Sequence, residues 1–483
     1  MHAQQLGGRR RTPVTLGTHQ ARAFMRHHKT QGRPTALLFL DLTEAFYRVV
    51  RPLALSGTLD DEVLAAIAAR LKLDSDALEE LQSLLRQPGA IEDAGLPLHS
   101  QRALRAIHAD THFSLRGQTD CCRTTLGSRP GDAFADVVFG YLWAKILHKL
   151  QGRLQDHGLC EFTNDERGPK WFRHEPPCTD LQIPFLGPCW CDDLCICMSA
   201  DNLQALSHKA AVTSSVLLDL CRVHGMTPNL NKGKTELMFS MRGSGQRAFR
   251  RHWFGPQAPR LFPVLGETGF YQIPLVGAYR HLGGILHHSG DLKSEIRRRT
   301  GIAHQAFSEH RRLLFQNKAI PLQKRVELFR CLVLSKMLYG TDSWVINDQK
   351  TKSTLHAAVM KLYKRLLRAK HEDKLTDDHI LSATGLPSPS ELLRISRLRY
   401  VRTLFAAADV VSWGLFNIDA DWVALIEDDF TWMYTQLWNS SPLKDPKQHF
   451  AQWLDIIRHQ PGYWKRLTSR AMKHAIGQRT CSS

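Results

Sequence analysis

The chain has 483 residues, 43% hydrophobic and 23% charged, so it has material for about three domains of ordinary size and is no disordered tail. Sixty-four Lys and Arg against 46 Asp and Glu leave a net charge of +18, an excess that disfavours an ordinary metabolic enzyme and points to a polyanionic partner, nucleic acid before anionic membrane. No run of about 18 or more apolar residues occurs, which excludes a membrane-spanning helix.

The first 40 residues carry seven Lys and Arg and no Asp or Glu. Such an acid-poor start is the character of an organelle transit peptide. It leads directly into a strand signal, however, so a basic edge that contacts nucleic acid is the favoured reading, and organellar targeting the disfavoured one. A Gly/Arg patch at 7–11 precedes a helical pattern around Ala21–His28. Residues 36–42 (Ala-Leu-Leu-Phe-Leu-Asp-Leu) form a short apolar run with one carboxylate near its end, which predicts a buried strand with Asp41 where it emerges. Leu and Ala at helical spacing predict helices over 61–88. Residues 151–188 are Gly-, Pro- and charge-rich and read as a loop-like insertion. Residues 183–198 set two apolar arms around Asp192-Asp193, the pattern of a hairpin with acids at its tip.

After Gly290 the composition shifts. Residues 291–400 hold 22 Lys and Arg against 11 Asp and Glu, so +11 of the +18 lies there, on a helical pattern throughout. Beyond residue 400 lie six of the 11 tryptophans, among short helical stretches that predict a small separate unit.

The constellation most suggestive of chemistry is Asp41 at a strand end together with Asp192 and Asp193 at a hairpin tip. Neighbouring strands bring such carboxylates within a few ångströms, where they repel one another unless a divalent cation neutralises them. Two Mg²⁺ ions about 4 Å apart are what in-line phosphoryl transfer uses. An Asp-Asp pair alone is also a common turn dipeptide, so the flanking residues decide.

Those flanks resemble the reverse transcriptases of non-LTR (LINE-type) retrotransposons. Phe39-Leu40-Asp41-Leu42-Thr43-Glu44-Ala45-Phe46 is similar to their first catalytic block. Gly127-Ser128-Arg129-Pro130-Gly131-Asp132 is similar to their Gly-x-x-Gln-Gly-Asp block, and Trp190-Cys191-Asp192-Asp193 to aromatic-Ala-Asp-Asp. Asn231-Lys232-Gly233-Lys234-Thr235-Glu236 resembles Asn-x-x-Lys-Thr. Tyr279-Arg280-His281-Leu282-Gly283-Gly284 resembles the primer-gripping Tyr-Leu-Gly segment, and Met337-Leu338-Tyr339-Gly340 a thumb segment. Gln5-Leu6-Gly7-Gly8-Arg9 resembles the fingers block Gln-x-Gly-x-Arg. Each block is short, but they fall in the family's order over residues 5–345.

The resemblance implies an α+β right-hand polymerase: partial fingers at 1–35, a palm with an antiparallel sheet at 36–290 carrying insertions near 55–115 and 151–188, a helical thumb at 291–400, and a Trp-rich helical region at 401–483. It implies RNA-directed DNA polymerisation with two Mg²⁺ ions, Mn²⁺ being a substitute, on an RNA template, a DNA primer and dNTPs, with element RNA and genomic target DNA as further partners in the nucleus or cytoplasm. Asp41, Asp192 and Asp193 would ligate the metals, and Lys234 would lie near the leaving pyrophosphate. Arg9, Leu42, Phe46 and Gly131 would meet the nucleotide, Phe46 as a steric gate against a ribose 2′-hydroxyl and Gly131 through close backbone approach. Tyr279, Leu282, Gly283, Arg297 and Arg298 would hold primer and template. Arg297-Arg298-Arg299, Lys364-Arg365 with Arg368, and Arg394, Arg397 and Arg399 are dense enough to clasp a duplex by its backbone.

The chain departs from the family at Pro130, Tyr47 and Cys191, and it starts at the fingers block, which reads as an N-terminally truncated copy. A catalytically inactive remnant that only binds nucleic acid is the alternative, and an organellar intron-type enzyme a third reading. His157, Cys160, His174 and Cys178 have zinc-like spacings that chance also provides. Cys189, Cys191, Cys195 and Cys197 alternate as small packing residues of strands. Acids around Asp419, Asp421 and 427–429 argue against nucleic acid on their face, and the C-terminal tryptophans read as core.

Overall fold

A computed structural model describes residues 2–114, 116, 117, 120–128, 133–173, 181–369 and 373–482. The fold is mixed α+β with small antiparallel sheets. Contacts divide the chain into two compact units, one of Met1–Arg10, His28–Thr163 and Leu181–Leu282, the other of Arg11–His27, Asn164–Asp180 and Gly283–Ser483. After an opening helix, α1 (Thr15–Thr30), the apolar run at 36–42 becomes β1 (Thr35–Leu40), every residue of which is buried.

The first unit is organised on β1. A long helix, α2 (Ala133–Asp156), precedes the hairpin β2 (Cys189–Trp190) and β3 (Asp193–Ser199); then come α3 (Leu203–Val223) and β4 (Glu236–Ser240). The sheet order is β2-β3-β1-β4, all antiparallel, so β1 has a partner on each side. Ala36, Leu38 and Leu40 join Ile196, Met198, Leu237 and Phe239 in one core with Val138, Leu142, Ile146 and Leu150 of α2 and Leu206, Ala210 and Leu217 of α3. Residues one step out of phase face the other way, where Phe39 stacks on Tyr279 at 4.0 Å between ring centroids. With both faces covered, β1 reads as a continuous apolar run rather than an alternating one. The Asn202 side chain starts α3 by accepting from Ala205 N at 2.8 Å.

The expected helices over 61–88 are two, Asp61–Leu71 and Ser75–Leu85, separated where Lys72 takes φ 52° and Asp74 caps the second. The expected loop over 151–188 is only partly a loop. Helix α2 runs on to Asp156 because Leu150 and Leu154 extend its buried stripe, and Glu161–Asn164 pairs with Gln182–Phe185 in a two-stranded sheet. Further strands, β5 (Leu261–Gly266), β6 (Gly269–Pro274) and β7 (Ala278–His281), complete the unit, β5 and β6 as an antiparallel pair.

The second unit is mostly helical: α4 (Lys293–Glu309), α5 (Gln349–Leu367), α6 (Pro389–Ala407), α7 (Ala420–Leu437) and α8 (Pro461–Ser482) are its longer helices. A capping box opens α6: Glu391 N donates to Ser388 Oγ while Ser388 N donates to Glu391 Oε2 at 2.7 Å, with Pro389 at the first position. Residues 401–483 do not form a separate compact unit. Trp464 of α8 donates its indole N–H to the Leu398 carbonyl at 3.0 Å, and Asp429 of α7 takes two hydrogen bonds from Arg397 of α6. Trp171 is fully buried among Phe405, Trp413, Phe430 and Phe450, which brings part of the 151–188 stretch into this unit. Residues 11–27, which include most of α1 and are expected among partial fingers, also belong here: His19 stacks on Phe416 at 3.9 Å, and Arg26 forks onto buried Asp419. Among the described residues no helix is long and apolar enough to cross a membrane.

Candidate functional site

The β2–β3 hairpin turns through two residues, Cys191 and Asp192, between the paired Trp190 and Asp193. Cys191 takes φ 54°, a left-handed position where a side chain is costly, and such strain gathers at functional turns. The register of β1 on β3 ends at Leu40 opposite Leu194, so one more step sets Asp41 opposite Asp193. Directly opposed residues of antiparallel strands share a face, with Cβ atoms about 4.5–5.5 Å apart. The sheet itself therefore brings the three carboxylates to one end.

The loop between α3 and β4 holds Asp41 from the other side. Asp41 N donates to Thr235 Oγ1 at 3.1 Å, and Asn229 N donates to the Asp41 carbonyl at 2.9 Å. On the carboxylate, Oδ2 accepts from Asn229 Nδ2 at 3.1 Å and Oδ1 from Lys234 Nζ at 3.3 Å. Tyr279, stacked on Phe39, props this loop by donating its hydroxyl to the Lys234 carbonyl at 2.8 Å. The Lys234–Asp41 pair is open to solvent, so its own contribution to stability is at most about 1 kcal/mol.

The acids of the hairpin feel each other. Burial raises the pKa of Asp193 to about 6, helped by Asp192 and Asp41 and opposed by Lys234. Burial raises Asp192 as well, with Asp41 adding to the effect and Lys234 opposing it. Burial and the nearby Asp193 and Asp41 also push the Tyr279 hydroxyl up, which keeps it a hydrogen-bond donor.

A second strand-like edge completes the tip. Residues Gln4–Gly7 run beside β2: Leu6 N donates to the Cys189 carbonyl at 2.7 Å, and Cys189 N to the Gln4 carbonyl at 3.1 Å. Gly7 lies against the turn so closely that a Cβ there would come within 2.5 Å of Cys191 N. Arg9 donates to the carbonyls of His2 and Ala3, so its guanidinium ties down its own segment.

The remaining expected residues are spread over both units. In the first, Leu42 is buried and bridges Pro228. Phe46 follows on a short turn, Ala45–Arg48, and rests its ring 4.7 Å from Phe139, against the core. Its carbonyl accepts from Ser128 N at 2.7 Å, and Gly127 takes φ 81° with no room for a Cβ beside the Tyr47 carbonyl. Gly131 lies outside the described residues, as do Arg129, Pro130 and Asp132. Leu282 is buried at φ 48°. In the second unit, Arg298 and Arg299 both donate to the Gly283 carbonyl, while Arg297 is exposed. Arg299 also pairs with Glu295 and lies 4.3 Å over the Tyr339 ring.

Several expected duplex-binding cations are committed inside the protein. Arg394 and Arg397 pair with Asp428 and Asp429, Arg365 hydrogen-bonds His304, and Lys364 lies 3.8 Å from Asp377. The acids expected to form a hostile surface supply some of these partners: Asp419 and Asp429 are buried, neutralised by Arg26 and by Arg394 and Arg397. Cys189, Cys195 and Cys197 are buried packing residues, whereas Cys191 is exposed because it sits in the turn and not on a strand. Among the described residues no group of three or more His, Cys, Asp or Glu is gathered closely enough to hold a metal ion. That holds for His157 and Cys160; His174 and Cys178 lie outside the described residues.

Asn229 lies outside every block the sequence offered; Thr235 and Gln5–Gly7 lie inside them, but their contacts with Asp41 and with the hairpin turn were not legible. Asn229-x-Asn231 marks a loop, but only the closed fold aims Asn229 at Asp41. A comparison with protein-family models finds no match, and a search of curated proteins finds none either.

Proposed function

We propose that the chain is an RNA-directed DNA polymerase of the non-LTR retrotransposon type, adding dNTPs to a DNA 3′-hydroxyl. The observation that carries this reading is the meeting of Asp41 with Asp192 and Asp193 at one end of an antiparallel sheet, with Lys234 on the same acid. The right-hand architecture is part of the proposal, with the first unit as palm and helices of the second as thumb. The donors are all hard, anionic oxygens, and burial, with the neighbouring carboxylates adding to it, raises the proton affinity of Asp192 and Asp193, so the set suits a hard divalent cation such as Mg²⁺ in place of protons. Asp41, Asp192 and Asp193 would hold it, and when bound it would neutralise charge developing on the oxygens of the transferred phosphoryl group. The chain's own residues do the rest. Asn229 and Thr235 fix the Asp41 backbone and carboxylate, the strained turn aims Asp192, and Lys234 supplies an ammonium beside the acids, suited to a phosphate or a proton on the leaving group.

The second reading, a nucleic-acid-binding remnant, is favoured by one observation: both carboxylate oxygens of Asp41 are already engaged, by Asn229 and by Lys234. Primer extension on an oligo-dT-primed RNA, with Mg²⁺ or Mn²⁺, separates the two. Under the polymerase reading the wild type extends, and Asp192→Ala and Asp41→Asn each lose about 10³-fold or more. A wild type that binds the hybrid but never extends it leaves the remnant.

A further inference from the structure

In the second unit, α6 and α8 present matching faces to a cavity of about 750 Å³. From α6 come Arg399, Arg402, Thr403 and Ala406, and from α8 Pro461, Trp464, Lys465 and Thr468, each set at i, i+3, i+4 and i+7 and so on one side of its helix. Arg11 adds a fourth cation, and no carboxylate lines the space. Trp464 and Thr468 are buried and form its floor, while Arg11, Arg399, Arg402 and Lys465 are exposed around them.

Three other cations on these helices have counter-charges. One turn earlier on α6, Arg394 and Arg397 are neutralised by Asp428 and Asp429, and Arg479 of α8 by Glu391. The four cations of the groove make no ion pair among the described residues. Partial burial of its guanidinium lowers the pKa of Arg399, and the neighbouring Arg330 adds to the effect. The N-terminal end of α8, beginning at Pro461, adds the positive end of a 22-residue helix dipole to the same space. Like charges held together without a counter-charge favour an anion, and guanidinium forks match phosphate oxygens.

We infer that the groove between α6 and α8 binds the phosphate backbone of a nucleic-acid strand, as a contact separate from the carboxylates. The inference rests on the polymerase reading for the identity of the polyanion, and it gives residues beyond 400 a role that the tryptophans did not reveal. The contacts are to phosphates and carry no base readout, so sequence should matter little.

The test uses the full chain and a fluorescein-labelled single-stranded RNA, with affinity measured by anisotropy across salt concentrations. The triple variant Arg399→Gln, Arg402→Gln, Lys465→Gln should flatten the slope of log K against log salt by about 2, since each lost phosphate contact is worth about 0.7. The pair Arg399→Lys and Arg402→Lys should keep the slope, because the charge stays. A triple variant that melts like wild type and keeps the full slope overturns the inference. On unmodified protein, the RNA should shield Arg399 and Arg402 from phenylglyoxal. Shielding by tripolyphosphate but not by RNA overturns the strand in favour of a small polyphosphate ligand. Primer extension, run in parallel, keeps the two readings apart. If no extension occurs but the triple variant still loses slope, the polymerase reading falls and the groove stands; extension with an unmoved slope removes the groove alone.

Discussion

Gly7→Ala should damage the candidate site far more than it damages the fold. A methyl at Gly7 would stand 2.5 Å from Cys191 N and 3.1 Å from both Cys191 Sγ and the Trp190 carbonyl carbon, and two of those three atoms are backbone. Restoring an ordinary contact of 3.4 Å or more requires the turn and the Gln4–Gly7 edge to part by nearly 1 Å. Overpacking of this kind costs about 1–3 kcal/mol. Because Gly7 does not occupy the left-handed region, alanine loses nothing in backbone strain and gains about 0.4–1 kcal/mol through the unfolded state. The net cost to local stability is about 1–2 kcal/mol, which should speed amide exchange of a 186–199 peptide about tenfold. Asp192 sits in the displaced turn, and a misplacement of about 1 Å costs on the order of 10² in rate. Primer extension should therefore fall about a hundredfold in a protein that still folds. Gly152→Ala is the control: it lies within α2 with open space around its Cβ, so it should stabilise by about 0.5–1 kcal/mol and leave extension unchanged. Wild-type exchange and wild-type extension in Gly7→Ala would refute the account of how the N-terminal edge positions the turn.

Two further outcomes follow from buried charge. Arg397→Ala strips buried Asp429 of its two closest hydrogen bonds and should destabilise the second unit by about 3–5 kcal/mol in thermal or denaturant unfolding; a loss below about 1 kcal/mol would mean that Arg394 alone compensates. His224 and His281 of the first unit are buried, which lowers their pKa to about 3. The unfolded chain takes up their protons below about pH 6.5 and the folded one does not, so their stabilisation is complete above that pH and is lost as pH falls, by about 1.4 kcal/mol per unit for each. Asp193, raised to about 6, works in the opposite sense below that value and offsets part of the loss. The first unit should lose roughly 3 kcal/mol between pH 6.5 and 5.0, and His281→Leu should flatten that decline; stability that holds steady or rises on acidification would contradict it.

Much of the first unit was legible because its signals are local. A continuous apolar run ending in an acid can hardly be anything but a buried strand with the acid at its mouth, and the two arms around Asp192-Asp193 specify a hairpin. The start of the 151–188 stretch reads as loop because charged residues and Gly152 obscure Leu154, which continues the buried stripe of α2 to Asp156. The features that stayed hidden are pairings across long stretches of chain. Asp419 and Asp429 look like surface acids until Arg26, Arg394 and Arg397 are known to meet them, and the same pairings remove Arg394 and Arg397 from the cations offered to a duplex. Trp171 looked like part of a loop because its aromatic partners, from Phe405 to Phe450, lie more than 200 residues away. The clamp on Asp41 is hidden for the same reason: Asn229 is an ordinary loop residue by composition, and nothing in the block around Lys234 says that Thr235 meets Asp41.

The central place of β1 has a consequence for biosynthesis. Strand β1 ends at residue 40, yet its neighbours are residues 194–199 and 236–240, so it must wait for roughly 200 more residues to be made before its ladder can close. At about 5–20 residues per second that interval is on the order of 10–40 s, during which an apolar strand with two open edges is exposed on the ribosome-bound chain. The acidic cluster thus comes into being late and in stages: Asp41 is translated early, the carboxylates opposite it about 150 residues later, and the loop that grips it only just before β4. A nascent chain stopped before Asp192 carries the first aspartate and no site, and it is the species most in need of a chaperone.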